Sequence, residues 1–214
     1  MLSFGFGNKL NSDFTNELKG FVAPASYYDR YYGENGWNAL TVISLAIGQG
    51  ELLFTPLQMS NLTACLANRG YYFIPHVVKK IEGVETIDKR FTSRHVVNID
   101  TANFNIVAEG MYLAVNGGKG STAGIARLNN IAVCGKTGTA ENPHGEDHSV
   151  FIAFAPRENP EIAISVYVEH GKWGASYAAP IASLVIEKYL TDTVAPNRRW
   201  IENRMLNGNL LHAK

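Results

Sequence analysis

The spacing of apolar residues changes character near residue 130: upstream they recur at helical intervals, downstream they alternate with polar ones. Phe104, Val107, Ala108, Met111, Tyr112 and Val115 follow an i, i+3, i+4, i+7, i+8, i+11 series and predict a helix over 101–116, ended by Gly117-Gly118. An earlier helix over 55–69 is announced by Thr55-Pro56-Leu57-Gln58. A hydroxyl sits at the cap, proline where its missing N–H is not needed, and glutamine three residues on to bond back. Met59, Leu62 and Leu66 give it an apolar face, Gly70 a left-handed stop, and Tyr71 to Ile81 reads as extended.

Beyond residue 130 the alternation predicts three strands within 130–170: Ile131 to Thr139, Ser149 to Ala155, and a third on Ile162, Ile164, Val166 and Val168. The short connection Pro156-Arg157-Glu158-Asn159-Pro160 makes the last two antiparallel neighbours. A closing helix over 176–190 is expected to pack on this sheet through Ile181, Leu184 and Val185, with Pro180 in its first turn. Residues 1–50 carry Tyr27, Tyr28, Tyr31, Tyr32 and Trp37 around turn-prone Gly33 and Asn35-Gly36, and read as irregular connections with short helices. The tail over 191–214, led by Asn197-Arg198-Arg199-Trp200, mixes basic and apolar residues. It reads as a fraying terminus with some capacity to dock a partner or a membrane surface. The fold class is therefore α+β, a three-stranded antiparallel meander packed against helices, and 214 residues suit one domain or a large piece of one.

Composition narrows the function. With 46% apolar residues the chain can bury a core, and Lys plus Arg equals Asp plus Glu at 19 each, so no global field draws in nucleic acid. Cys65 and Cys134 stand far apart and read as two packed thiols, giving neither a disulfide framework nor zinc spacing. His144, Glu146, Asp147 and His148 are metal-ligating types, but they lie in a loop where four-residue spacing gives no shared face; they read as a solvated rim, as do His170 and Lys172. Neither metal nor cofactor is expected. Gly117 to Thr122 lacks the spacing of a phosphate loop and follows a helix rather than a strand, so it reads as a surface loop.

The stretch Cys134 to Glu141 carries the chemistry. Lys136 supplies a fixed positive charge, the hydroxyls of Thr137 and Thr139 can bond a carboxylate, and Gly138 leaves room for a ligand approaching along the backbone. Lys-Thr-Gly is one of three sequence elements of penicillin-binding proteins and class A β-lactamases, beside Ser-x-x-Lys and Ser-Asp-Asn. Together with Ala46-Ile47-Gly48-Gln49-Gly50, Thr55 to Met59 and Ala67-Asn68-Arg69-Gly70, it makes the chain resemble class B penicillin-binding transpeptidases. The likeness runs from about Phe4 to about Leu190 and is nearest to the penicillin-binding protein 2-like, Bacteroides-type enzymes of cell elongation.

That resemblance implies a penicillin-binding transpeptidase (β-lactamase-like) fold and a serine acyl-enzyme that cross-links peptidoglycan stem peptides and is trapped by β-lactams. It also implies a membrane-anchored protein at the periplasmic face. Lys136 would orient the carboxylate and support proton transfer, Thr137, Gly138 and Thr139 would form the substrate strand, and the Thr139 backbone N–H would donate to an oxyanion hole. None of the eleven serines is followed three places on by lysine or two places on by asparagine, so the nucleophile and the middle element are absent. The expectation is a soluble C-terminal fragment of one transpeptidase domain, 1–214, without its own anchor or targeting signal, with no turnover and no stable penicillin adduct. By the same resemblance, strands normally contributed from upstream would leave 162–168 an open edge capable of self-association. A serine β-lactamase or D,D-carboxypeptidase fragment and a non-catalytic peptide-binding module remain as alternatives.

Overall fold

In a computed structural model, which describes residues 1–34, 36–84 and 86–211, the chain divides into two compact units. Asn35 of the expected Asn35-Gly36 turn and residues 212–214 of the tail lie outside the described residues.

The first unit comprises Met1–Gln58 and Phe73–His95. It holds α1 (Ala25–Tyr32), α2 (Ala39–Ala46), the first turn of α3 (Pro56–Ala67) and the one-turn α4 (Lys89–Thr92). The cap of α3 forms as its sequence requires: the Gln58 N–H donates to Thr55 Oγ1 at 3.1 Å, and the Thr55 N–H donates to Gln58 Oε1 at 3.1 Å. Gln58 is fully buried, and its Nε2 donates to the carbonyls of Gly5, Asn8 and Lys19 at 3.2, 3.0 and 3.0 Å. One amide thus caps a helix and gathers the irregular N-terminal chain. Aromatic contacts organise α1, where Tyr28 donates to Glu51 at 3.0 Å and Trp37 Nε1 to Asp29 at 2.8 Å. Burial, with help from Glu51, pushes the Tyr28 phenol up to about 12.

The second unit comprises Met59–Tyr72 and Val96–Lys214. Here α3 ends in a paired turn, with the Gly70 N–H donating to Cys65 O at 2.9 Å and the Arg69 N–H to Leu66 O at 3.2 Å. The expected glycine stop is present, Gly70 at φ 117°, and Arg69 before it is also at positive φ (59°); Gly70 stands against the Phe104 ring, where a Cβ would lie 2.8 Å from Cε2. The extended reading of Tyr71 to Ile81 holds for two residues only, β1 (Tyr71–Tyr72); a second short strand is β2 (His95–Val96). The next helix, α5, runs Thr101–Asn116 and buries Phe104, Ala108, Met111 and Val115 as its periodicity demands, while Val107 is exposed.

The meander is β3 (Cys134–Ala140), β4 (His148–Ala155) and β5 (Ile162–Val168), in the order β3-β4-β5 and antiparallel throughout. The first strand starts later than its apolar run suggests, because Ile131 and Val133 pack as lead-in before pairing begins at Cys134↔Phe154. One sheet face, bearing Phe151, Ala153 and Ala155, packs on α6 (Ala178–Thr191); the other, bearing Cys134, Ile152 and Phe154, packs with Ala108 and Met111 of α5. The expected stripe of α6 is corrected: Ala178, Ala179, Ala182 and Ile186 pack with the sheet, while Ile181 and Leu184 are half-buried and Val185 is exposed. Small side chains let helix and sheet approach closely, so the bulky set is turned toward α7 (Arg199–Leu206), where it lines an apolar groove with Met205 and Leu206. Nor does the tail fray where it is described. Arg198, buried, pairs with Glu187 at 2.9 Å and donates to Ser183 Oγ and the Arg127 carbonyl, pinning the start of α7.

Candidate functional site

The candidate site is built on β3, which lies at one edge of the meander. Register fixes what each residue does: Lys136↔Ile152, Thr137↔Phe151, Gly138↔Val150 and Thr139↔Ser149. Alternation puts Thr137 and Thr139 on the α6 side and Lys136 and Gly138 on the other. Lys136 is exposed, its Nζ against the Thr137 carbonyl, and Thr137, Gly138 and Thr139 are half-buried. The structure therefore brings the two hydroxyls onto one face, while the Lys136 side chain leaves the opposite face and turns its ammonium back to the Thr137 carbonyl. Gly135 seats the strand, since a Cβ there would lie 2.3 Å from Cζ of the fully buried Phe151.

A second wall comes from the segment between β5 and α6, residues 169–177. Gly174 lies so close to the motif strand that a Cβ would stand 2.7 Å from Gly138 O, 2.6 Å from Val150 O and 3.0 Å from Thr137 Cβ. Next to it in the chain, Trp173 is 70% exposed. Sequence reasoning missed both. The signal was present in Gly171 and Gly174 bracketing an aromatic just after the third strand, a pattern that marks close backbone approach. Ser149, fully buried, donates to Trp173 O at 2.8 Å and accepts from the Ala178 N–H at 3.0 Å.

The loop between β3 and β4 is held by Asn142, whose N–H donates to Asp147 Oδ1 at 3.1 Å and whose Nδ2 donates to Glu146 O at 3.2 Å. Glu146 pairs with Lys172 at 3.4 Å. Among the described residues no group of three or more His, Cys, Asp or Glu side chains is gathered as a metal ion would need. Burial pushes the Cys134 thiol up to about 11 and does the same to Cys65, so both stay protonated at neutral pH and pack rather than attack. The serine nearest the motif, Ser149, has its hydroxyl committed to two backbone partners. What the arrangement offers is recognition: an edge strand with backbone groups for an extended ligand, a cation and two hydroxyls. Among the described residues no helix is long and apolar enough to cross a membrane.

Comparison with known proteins places this geometry. The model of the penicillin binding protein transpeptidase domain matches residues 1–187. The peptidoglycan D,D-transpeptidase MrdA of Acinetobacter baumannii is 32% identical over 230 aligned residues, covering 100% of this chain and 33% of its own. Among solved structures, Pseudomonas aeruginosa PBP2 superposes with a TM-score of 0.78 at 32% identity, over 92% of this chain and 44% of that one. An imipenem acyl-enzyme complex of penicillin-binding protein A from Mycobacterium tuberculosis gives 0.69 at 25% identity, over 89% and 40%. The chain spans about a third of the length of the curated relatives it matches. With the matched domain covering the motif strand, the other two strands of its sheet and most of α6, the chain belongs to the penicillin-binding protein transpeptidase family.

Proposed function

We propose that residues 1–214 form the C-terminal part of one D,D-transpeptidase domain that cross-links peptidoglycan and is acylated by β-lactams at a serine supplied by other polypeptide. The observation that carries this reading is Lys136-Thr137-Gly138-Thr139 standing on an edge strand with Lys136 exposed and the Gly174 segment against it. Lys136 orients the carboxylate of the stem peptide or drug, the Thr137 and Thr139 hydroxyls bond it, and the Thr139 N–H donates to the oxyanion. The relatives named as D,D-transpeptidases favour transfer over hydrolysis. The whole protein would act at the periplasmic face of the cytoplasmic membrane, in cell-shape maintenance.

Since no serine here has lysine three residues on, the chain alone gives no turnover and no covalent adduct. Labelled penicillin on a denaturing gel tests this: no heat-stable band on the 214-residue chain is expected. Joined to the upstream two-thirds of the Acinetobacter MrdA relative, the chain should be labelled, and Lys136→Ala should abolish the signal. A labelled chain alone, or a labelled Lys136→Ala fusion, would overturn the reading. Strand β5, at the other edge of the sheet with Ile162, Ile164, Val166 and Val168, supports a further capacity for edge-to-edge self-association. Light scattering of concentrated chain should show dimers or larger; a strictly monomeric species refutes it.

A further inference from the structure

The segment after β5 runs through two non-glycine residues in the left-handed region, His170 (φ 55°) and Lys172 (φ 60°). Side-chain-bearing residues rarely adopt this conformation, and here it persists because the segment is fastened to the start of β4. The fasteners come from three successive residues. The Lys172 N–H donates to Asp147 O at 2.8 Å, the His170 N–H to His148 Nδ1 at 3.1 Å, and Ser149 Oγ donates to Trp173 O at 2.8 Å while accepting from Ala178 N–H at 3.0 Å. Directly after these ties the backbone passes Gly174, in contact with Gly138 and Thr137 of the motif strand.

We propose that His148 and Ser149 are positioning residues for the motif strand, holding the 169–177 segment against Thr137 and Gly138, and that the His148 tie holds only while its imidazole is neutral. This deepens the transpeptidase reading and rests on it for the meaning of the wall, though not for the tie itself. Because the His170 N–H points at Nδ1, that nitrogen must be the acceptor and the ring proton sits on Nε2. Protonation at Nδ1 would set two donors facing each other 3.1 Å apart. Tyr167 of β5, at 5.3 Å between ring centroids, and the His170 ring, at 5.4 Å, stand against His148. The charged groups around it are Glu146 with its partner Lys172, Asp147 held by Asn142, Glu169 beside Tyr167, and Glu141 next to the cross-strand partner Ala140. The wall is therefore held by this tie while the imidazole is neutral and loosened once it is charged.

Amide exchange and chemical shifts of the full 214-residue chain, followed from about pH 8 to about pH 5, test this. After correction for intrinsic rates, exchange at His170 should accelerate about tenfold or more as the His148 ring titrates, and the Gly138 and Gly174 amide shifts should follow the same midpoint. His148→Asn, which keeps an acceptor that does not protonate in this range, should give flat profiles with protection retained. His148→Phe should lose protection at every pH, and Ser149→Ala should expose the Ala178 amide. A His170 amide and a Gly138 shift that ignore the His148 titration in the unsubstituted chain would overturn the proposal, whatever the variants do. No ligand enters these readouts, so their failure leaves the role of Lys136 standing, and failure of penicillin labelling leaves the tie standing.

Discussion

Replacing Gly174 by alanine tests whether the 169–177 segment is a wall of the motif strand. The added methyl would meet two backbone oxygens, Val150 O at 2.6 Å and Gly138 O at 2.7 Å, and Thr137 Cβ at 3.0 Å. Two of these atoms belong to strand backbones and cannot rotate away, so the segment must lift by several tenths of an ångström. Overpacking of this kind costs about 1–3 kcal/mol, and the absence of a flexible neighbour puts this site at the upper end, about 2–3 kcal/mol. For a chain of this size that lowers the unfolding midpoint by about 4–12 °C. Gly110→Ala is the control: Gly110 lies within α5 with nothing within 4 Å of its Cβ position, and alanine there should stabilise by about 0.5–1 kcal/mol. Thermal unfolding gives both energies, and the Gly138 and Thr139 amide shifts report whether the motif strand moves. A Gly174→Ala chain within about 0.5 kcal/mol of the parent, with unmoved Gly138 and Thr139 resonances, would refute the close approach.

Two further predictions concern the scaffold. Glu187→Ala should destabilise the second unit by about 3 kcal/mol in denaturant unfolding, because Arg198 would stay buried without a counter-charge, and the double change Glu187→Met with Arg198→Met should recover most of that loss; a single variant as stable as the parent would contradict the pinning role. In the first unit, the N–H groups of Val78 and Val77 donate to Asp13 and hold its carboxyl below the usual carboxylate range. A depressed folded value means stabilisation that is present above the unfolded value and lost as pH falls through the folded one. Val77 and Val78 amide protection should therefore drop on acidification below about pH 4, and protection equally acid-labile in Asp13→Asn would show that another group is responsible.

Legibility in the sequence followed the range of the interactions. The cap at Thr55 and Gln58, the α5 stripe and the alternating strands rest on near neighbours in the chain, and all three are found, with β3 starting three residues later than its apolar run and Val107 left out of the buried stripe. The placing of Lys136 to Thr139 on a strand was readable for the same reason, as part of a contiguous run. Long-range choices were not. Which face of α6 meets the sheet depends on how closely Ala179 and Ala182 allow it to approach, and hydropathy ranks Leu184 and Val185 above them. The tail folds because Arg198 finds Glu187 eleven residues back, a pair that local composition does not announce. Gln58 reads as half of a capping box, yet its amide also gathers three carbonyls from residues 5–19. The second wall was hidden because Ser149 and His148 act on a segment more than twenty residues away.

The most direct measurement is a titration of the isotope-labelled chain with an acyl-D-Ala-D-Ala peptide and, separately, its C-terminal amide. With no serine in this chain followed three places on by lysine, binding should be weak, with a Kd of about 1 mM or about −4 kcal/mol. The free acid should shift the amides of Thr137, Gly138 and Thr139, and Lys136→Ala or amidation of the peptide should remove the effect. Equal shifts with acid and amide, or shifts that bypass residues 136–139, would contradict a carboxylate-binding strand.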